Sequence, residues 1–140
     1  MKKIIATLLT LCMVLSLAGA ASAEATTLTM WTFIAQHQEF YESMAKLWNE
    51  QNPDRQIDLQ VTTIGYDDMH NKYKIALQAD EGAPDLCDVE LGQFPNVLTF
   101  SDKLTDLTPY MQDYMPDLVK ARFEIYAKDG KYYGAPTHVG

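Results

Sequence analysis

The chain has 140 residues, 47% of them hydrophobic, with 11 Lys and Arg against 19 Asp and Glu, for a net charge of −8. An acidic surface repels nucleic acid phosphates and anionic lipid heads, which makes both poor partner candidates. Two cysteines, Cys12 and Cys87, are too few for a disulfide framework.

The first element is a targeting segment. Lys2 and Lys3 precede an apolar run from Ile4 to Leu17, and small residues end in Ala21-Ser22-Ala23. The run is shorter than the ~20 residues of a membrane span. A basic start, an apolar stretch and an Ala-x-Ala end predict a cleaved signal peptide over residues 1–23, with Glu24 as the new N-terminus. Leu17-Ala18-Gly19 is like a lipobox, but Ala20 stands where the acylated cysteine belongs. Cys12 lies inside the apolar run, with bulky Met13 and Val14 after it. The expectation is an exported protein, periplasmic or extracellular, without a lipid anchor. Cleavage removes Lys2 and Lys3 and takes the net charge from −8 to −10. It leaves Cys87 as a lone thiol, expected to pack as a small core residue.

"TLTMWTF" alternates and is rich in β-formers, which predicts a strand over 27–32. In the next stretch Phe40, Met44, Leu47 and Trp48 recur at helical spacing before Pro53, so an amphipathic helix with Phe40 and Trp48 in the core is expected. Ile57, Leu59 and Val61 alternate with polar residues as a second strand. Met69, Tyr73, Ala76 and Leu77 mark a second helix, closed by Gly82 and Pro84. "DLCDVEL" reads as a third strand, and Pro95, Pro109 and Pro116 as starts of short helical turns. Asp129-Gly130 between two β-rich runs predicts a hairpin.

Strands alternating with helices imply an α/β fold with a mostly parallel sheet flanked by helices on both faces. Ligands of such sheets bind beyond the carboxyl ends of the strands, where the strand order reverses. That directs attention to Trp31–Gln38, Gly65–Asp68 and Glu90–Phe94. "WTFIAQHQEF" has no glycine to cradle a pyrophosphate, which argues against a nucleotide enzyme. His37, His70 and His138 are not at metal spacing and read as surface or loop residues; no cofactor or metal is expected. Asp85 reads as a turn residue. Asp88 and Glu90, two apart, would share one strand face, which keeps open a hydrolase using that pair. Trp31, Phe33, Tyr66 and Phe94 stand at strand ends, where flat aromatic faces suit the C–H faces of a sugar and carboxylates or amides suit its hydroxyls.

Several ordered pieces carry a resemblance to a known family. They are "TLTMWTF", "KLWNEQNPDRQIDLQVTT", "YKIALQADEGAPDLCDVELGQFPNVL", "LTDLTPYM" and "DGKYYGAPTHVG". Together, over residues 27 to 138, they resemble extracellular solute-binding proteins of family 1, the sugar receptors of ABC importers, similar in plan to maltose-binding protein. The resemblance implies a periplasmic-binding-protein-like (type II) lobe I over 24–140, incomplete and ending before the second lobe, in a monomer that closes on its ligand like a hinge. It implies binding without catalysis, with a mono- or oligosaccharide and the membrane permease subunits as partners. Matching positions imply ligand contacts at Trp31, Phe33, His37, Tyr66, Asp67, Glu90, Gln93, Thr137 and His138. Glu90-Leu91-Gly92-Gln93 replaces the usual Asp or Ser plus aromatic, and Thr137-His138 replaces a usual aromatic, so another solute, a polyamine or a metal chelate, stays open. An acidic aromatic pocket suits a cation too.

Overall fold

A computed structural model describes residues 24–137; residues 1–23, where a signal peptide with Cys12 is expected, and His138 lie outside the described residues. Strand β1, Thr26–Thr32, is central, with β2, Ile57–Thr63, on one side and β3, Leu86–Cys87, on the other. All three run parallel, with Thr26 opposite Ile57 and Trp31 opposite both Thr62 and Cys87. Helix α1, Ala35–Gln51, leads from β1 to β2, and helix α2, Tyr66–Ala79, leads from β2 past β1 to β3. The order β2-β1-β3 therefore reverses between β1 and β3, and the loops that leave these two strands face each other.

Period two sorts the side chains of β1. On one face Trp31 packs with Cys87, Val89, Phe100 and Leu104 against the buried Tyr73 and Leu77 of α2 and Val97. Burial lifts the Cys87 thiol to about 12, so it behaves as the small core residue expected. On the other face Met30 joins Met44 and Trp48 of α1 around an apolar cavity of about 700 Å³, which extends to Tyr73, Cys87 and Val97. Helices thus flank both faces. Phe40 and Trp48, expected in the core, are 47% and 38% exposed, and α1 has no buried residue. Their spacing is helical as expected, but the stripe stays largely open, with the Arg55 guanidinium 5.5 Å from the centre of the Trp48 ring. Trp48 is fixed at its tip instead: its indole N–H donates to the Arg55 carbonyl at 2.8 Å.

Strand β3 is shorter than "DLCDVEL" suggests. Asp85 does stand at a bend before it, where its Oδ2 accepts the Thr29 N–H and hydroxyl at 2.8 and 2.7 Å. The Asp88 N–H still donates to the Trp31 carbonyl, but the Glu90 N–H turns to a side chain, His70, and pairing stops. Helix α2 closes on Asp80 in the left-handed region, with Gly82 following at positive φ.

Short turns follow: α3, Phe94–Val97, a 3₁₀ segment Leu98–Lys103, α4, Thr108–Met111, a 3₁₀ turn Met115–Asp117, α5, Lys120–Phe123, and a 3₁₀ turn Glu124–Tyr126. Pro95, Pro109 and Pro116 stand in the first turns, where a missing N–H costs nothing. The hairpin forms between β4, Ala127–Lys128, and β5, Lys131–Tyr132. Asp129 and Gly130 both take positive φ, as a two-residue hairpin turn requires. Lys128 pins this hairpin to the 3₁₀ segment through the Leu98 carbonyl and the Ser101 hydroxyl, at 3.1 and 2.9 Å.

Candidate functional site

Two polar clusters form where the loops after β1, β2 and β3 converge. The first centres on Asp88, just past β3. Thr32, fully buried at the end of β1, donates its hydroxyl to Asp88 Oδ2 at 2.8 Å. His37, in the first turns of α1, meets the same oxygen through Nδ1 at 2.6 Å. His37 and Tyr41 are four apart and so share a helix face. The Tyr41 hydroxyl, near Thr137, is pushed up to about 12, first by burial and then by the Asp88 charge. The Asp88 charge also helps burial to raise Tyr126.

The second cluster joins the start of α2 to the loop after β3. Tyr66 donates its hydroxyl to Glu90 Oε2 at 3.2 Å, and the Gly92 N–H donates to the same oxygen at 2.8 Å. Gln93 reaches the Tyr66 hydroxyl with its side-chain amide at 3.4 Å. Phe33 meets Tyr66 edge to face, with ring centroids 5.3 Å apart. His70 lies beneath, bonded to the Tyr66 carbonyl and the Glu90 N–H at 2.7 and 3.1 Å. Tyr66 remains 39% exposed, so one cluster offers an accessible aromatic ring, a carboxylate and an amide. Such a mixture can stack on an apolar ring face and accept or donate hydrogen bonds at its rim.

The structure brings Phe33, Tyr66, Glu90 and Gln93 together as one group and His37 with Thr137 as neighbours of a second. Asp67 stands exposed beside Tyr66. Trp31 is placed differently: its ring packs against the core, and the Lys72 ammonium lies 4.3 Å from its centre. Asp88 and Glu90 are not placed side by side on one strand face. The ladder ends at Cys87, and the two carboxylates join different clusters. Among the described residues no group of three or more His, Cys, Asp or Glu is placed to hold a metal ion.

Three residues escaped the sequence reading. Thr32 was hidden as a strand β-former. Tyr41 had a signal, its i, i+4 spacing from His37. His70 is neither a surface nor a loop residue: it is 6% exposed, on α2, four residues after the carbonyl it bonds.

The chain matches the description bacterial extracellular solute-binding protein over residues 34–140. It belongs to that family. It is 47% identical to an arabinooligosaccharide-binding protein of Halalkalibacterium halodurans, over 83% of this chain and 26% of that relative. It is 44% identical to the arabinooligosaccharide-binding protein of Bacillus subtilis, over 100% of this chain and 34% of the relative. The chain thus spans about a third or less of the curated relatives it matches. Among solved structures it is similar to the galacto-N-biose/lacto-N-biose I-binding protein of an ABC transporter from Bifidobacterium longum, in complex with lacto-N-biose. That match has a TM-score of 0.61 and 26% identity, over 85% of this chain and 29% of the other. The GacH receptor of Streptomyces glaucescens shares the fold at a TM-score of 0.62 and 21% identity, over 80% and 29% of the two chains. These neighbours identify the fold as part of a type II α/β domain with a parallel sheet flanked by helices.

Proposed function

We propose that this chain is the N-terminal part of the ligand-gripping lobe of an ABC importer's sugar receptor, with an arabinooligosaccharide as its ligand. The observation that carries the reading is the Phe33–Tyr66–Glu90–Gln93 group, an exposed ring beside hydroxyl-reading groups at the reversal of strand order. The names of the two bacterial relatives support the choice of sugar. In this reading Tyr66 stacks on a sugar face, while Glu90 and Gln93 bond hydroxyls. Asp67, His37, Thr137 and His138 contact the sugar further along the cleft. Trp31 supports the floor from the core side. No bond is broken: the ligand is held, a second lobe closes over it, and the closed form engages the membrane permease. The signal peptide delivers the mature chain, starting at Glu24, outside the cytoplasmic membrane. The open apolar cavity beside α1 supports a lobe completed by further chain.

The test is calorimetric titration of the complete protein with arabinotriose, beside the Glu90→Ala variant. Saturable heat in the wild type, loss in the variant and no released arabinose support the reading. Turnover that Asp88→Asn or Glu90→Gln abolishes would establish the hydrolase in its place. Heat with a polyamine or a metal chelate, and none with any sugar, would keep the receptor and replace its ligand.

A further inference from the structure

We infer that His70 is a positioning residue that locks Tyr66 and Glu90 to one another beneath the ligand; the inference rests on the sugar-binding reading above. Three hydrogen bonds close a ring. The Tyr66 carbonyl accepts from His70 Nδ1 at 2.7 Å, and His70 Nε2 accepts the Glu90 N–H at 3.1 Å. The Glu90 carboxylate, in turn, accepts the Tyr66 hydroxyl at 3.2 Å.

Donor rules set the state of the imidazole. A carbonyl oxygen can only accept, so Nδ1 carries the proton. A backbone N–H can only donate, so Nε2 is bare. His70 is therefore the neutral Nδ1–H tautomer. Both of its nitrogens are used inside the protein, so it acts on the sugar only through its neighbours.

The need for such a clamp follows from the topology. Tyr66 opens α2, and Glu90 lies three residues beyond β3. Beyond Cys87 the ladder has ended, so His70 takes the place of a strand neighbour for the Glu90 backbone. The ring packing points the same way. His70 lies 4.5 Å from the Tyr66 ring and 5.3 Å from Phe33, centre to centre, and is 6% exposed. A tightly packed floor holds the two ligand-facing groups in register, and fixed partners lose less freedom when they bind.

The experiment uses the complete protein with three variants and arabinotriose as probe. Gln places an amide oxygen near the position of Nε2 and keeps an acceptor for Glu90. Asn reaches only the position of Nδ1, and Leu offers neither. The expected order is His70→Gln within about twofold of wild type because it keeps the bond to Glu90, His70→Asn weaker by about fivefold to tenfold, the worth of one neutral hydrogen bond, and His70→Leu, which loses both bonds, weaker still. Nitrogen-15 spectra of the wild-type imidazole should show a proton on Nδ1 and none on Nε2. Exchange at the Glu90 amide should be slow in wild type and His70→Gln, and fast in His70→Leu.

A proton on Nε2 in the wild type overturns the inference. So does a His70→Leu protein that binds as wild type, or a folded His70→Gln protein as weak as His70→Leu. If His70→Leu fails to fold, the tautomer and the His70→Gln affinity decide. If the wild type ignores arabinotriose, the choice of sugar fails separately. Glu90 amide exchange then decides the clamp, which is refuted if wild type and variants exchange alike.

Discussion

Thr32→Val is the most direct probe of how the end of β1 is tied to the loop after β3. The two side chains have nearly the same shape, so the exchange removes a hydroxyl and leaves the packing. Thr32 is fully buried and donates to Asp88 Oδ2 at 2.8 Å. Its oxygen also accepts the Ile34 N–H at 3.3 Å, where the chain turns into α1. Valine leaves Asp88 with His37 and strips the Ile34 N–H of that acceptor. The Asp88 side chain is only 8% exposed, so water is poorly placed to replace the lost donor. A hydrogen bond to a charged partner contributes roughly 1.5–3 kcal/mol, so the expected loss is about 2 kcal/mol. In urea this appears as a lower midpoint at unchanged slope, because the buried area is the same. A double-mutant cycle with Asp88→Asn isolates the pair, and a coupling of about 1 kcal/mol or more is expected. A loss below about 0.5 kcal/mol for Thr32→Val, the range of an ordinary surface substitution, would refute the reasoning.

Other expectations are simpler to state. Gly134→Ala should lower the melting temperature, since its Cβ would come within 2.7 Å of the Phe94 ring and 2.9 Å of Tyr126; overpacking of this kind costs about 1–3 kcal/mol. Gly92→Ala should weaken sugar binding with little effect on melting, because the new Cβ would lie 3.0 Å from Glu90 Oε2 and push that flexible carboxylate off its place. Equal affinity in calorimetry would show that the carboxylate's position does not matter. Asp85 gains two bonds from Thr29 that hold its carboxyl below the usual range. A depressed folded-state value stabilises above the unfolded-state value, so the gap between wild type and Asp85→Asn should be fully present above about pH 4 and close as pH falls further. A gap that widens in acid contradicts the assignment. Finally, burial lifts Cys87 to about 12, so in the chain from Glu24 it should resist iodoacetamide at pH 8 when folded and react when unfolded in guanidinium.

Periodicity and punctuation carried the frame into the sequence. The alternation of Leu28 and Met30, the helical spacing of Met69, Tyr73 and Leu77, and Asp129-Gly130 each act through neighbours close in the chain. Their readout is local, and the strands, helices and hairpin follow. The length of β3 was not legible, because pairing ends there through a bond from Glu90 to His70, twenty residues away. Nor was the exposure of Phe40 and Trp48, since helical spacing says which side chains share a face and not what covers it. The three loops were legible from the strand–helix order, while the meeting of Phe33, Tyr66, Glu90 and Gln93 came from the structure. Trp31 stayed open between core and ligand because strand-end position does not reveal facing: its register partner Cys87 turns to the core, and so does Trp31. Thr32, Tyr41 and His70 act by holding other residues, and such a role leaves a signal in the sequence only when both partners lie on one helix face.

The measurement closest to the central claim is thermal melting of the complete protein across a series of arabinotriose concentrations, with Glu90→Ala alongside. A ligand that binds only the folded state stabilises it by mass action. The account predicts a melting temperature that climbs steadily with arabinotriose in the wild type and stays flat in the variant. A wild-type melting curve that does not move with any arabinose, xylose or hexose oligosaccharide would contradict it.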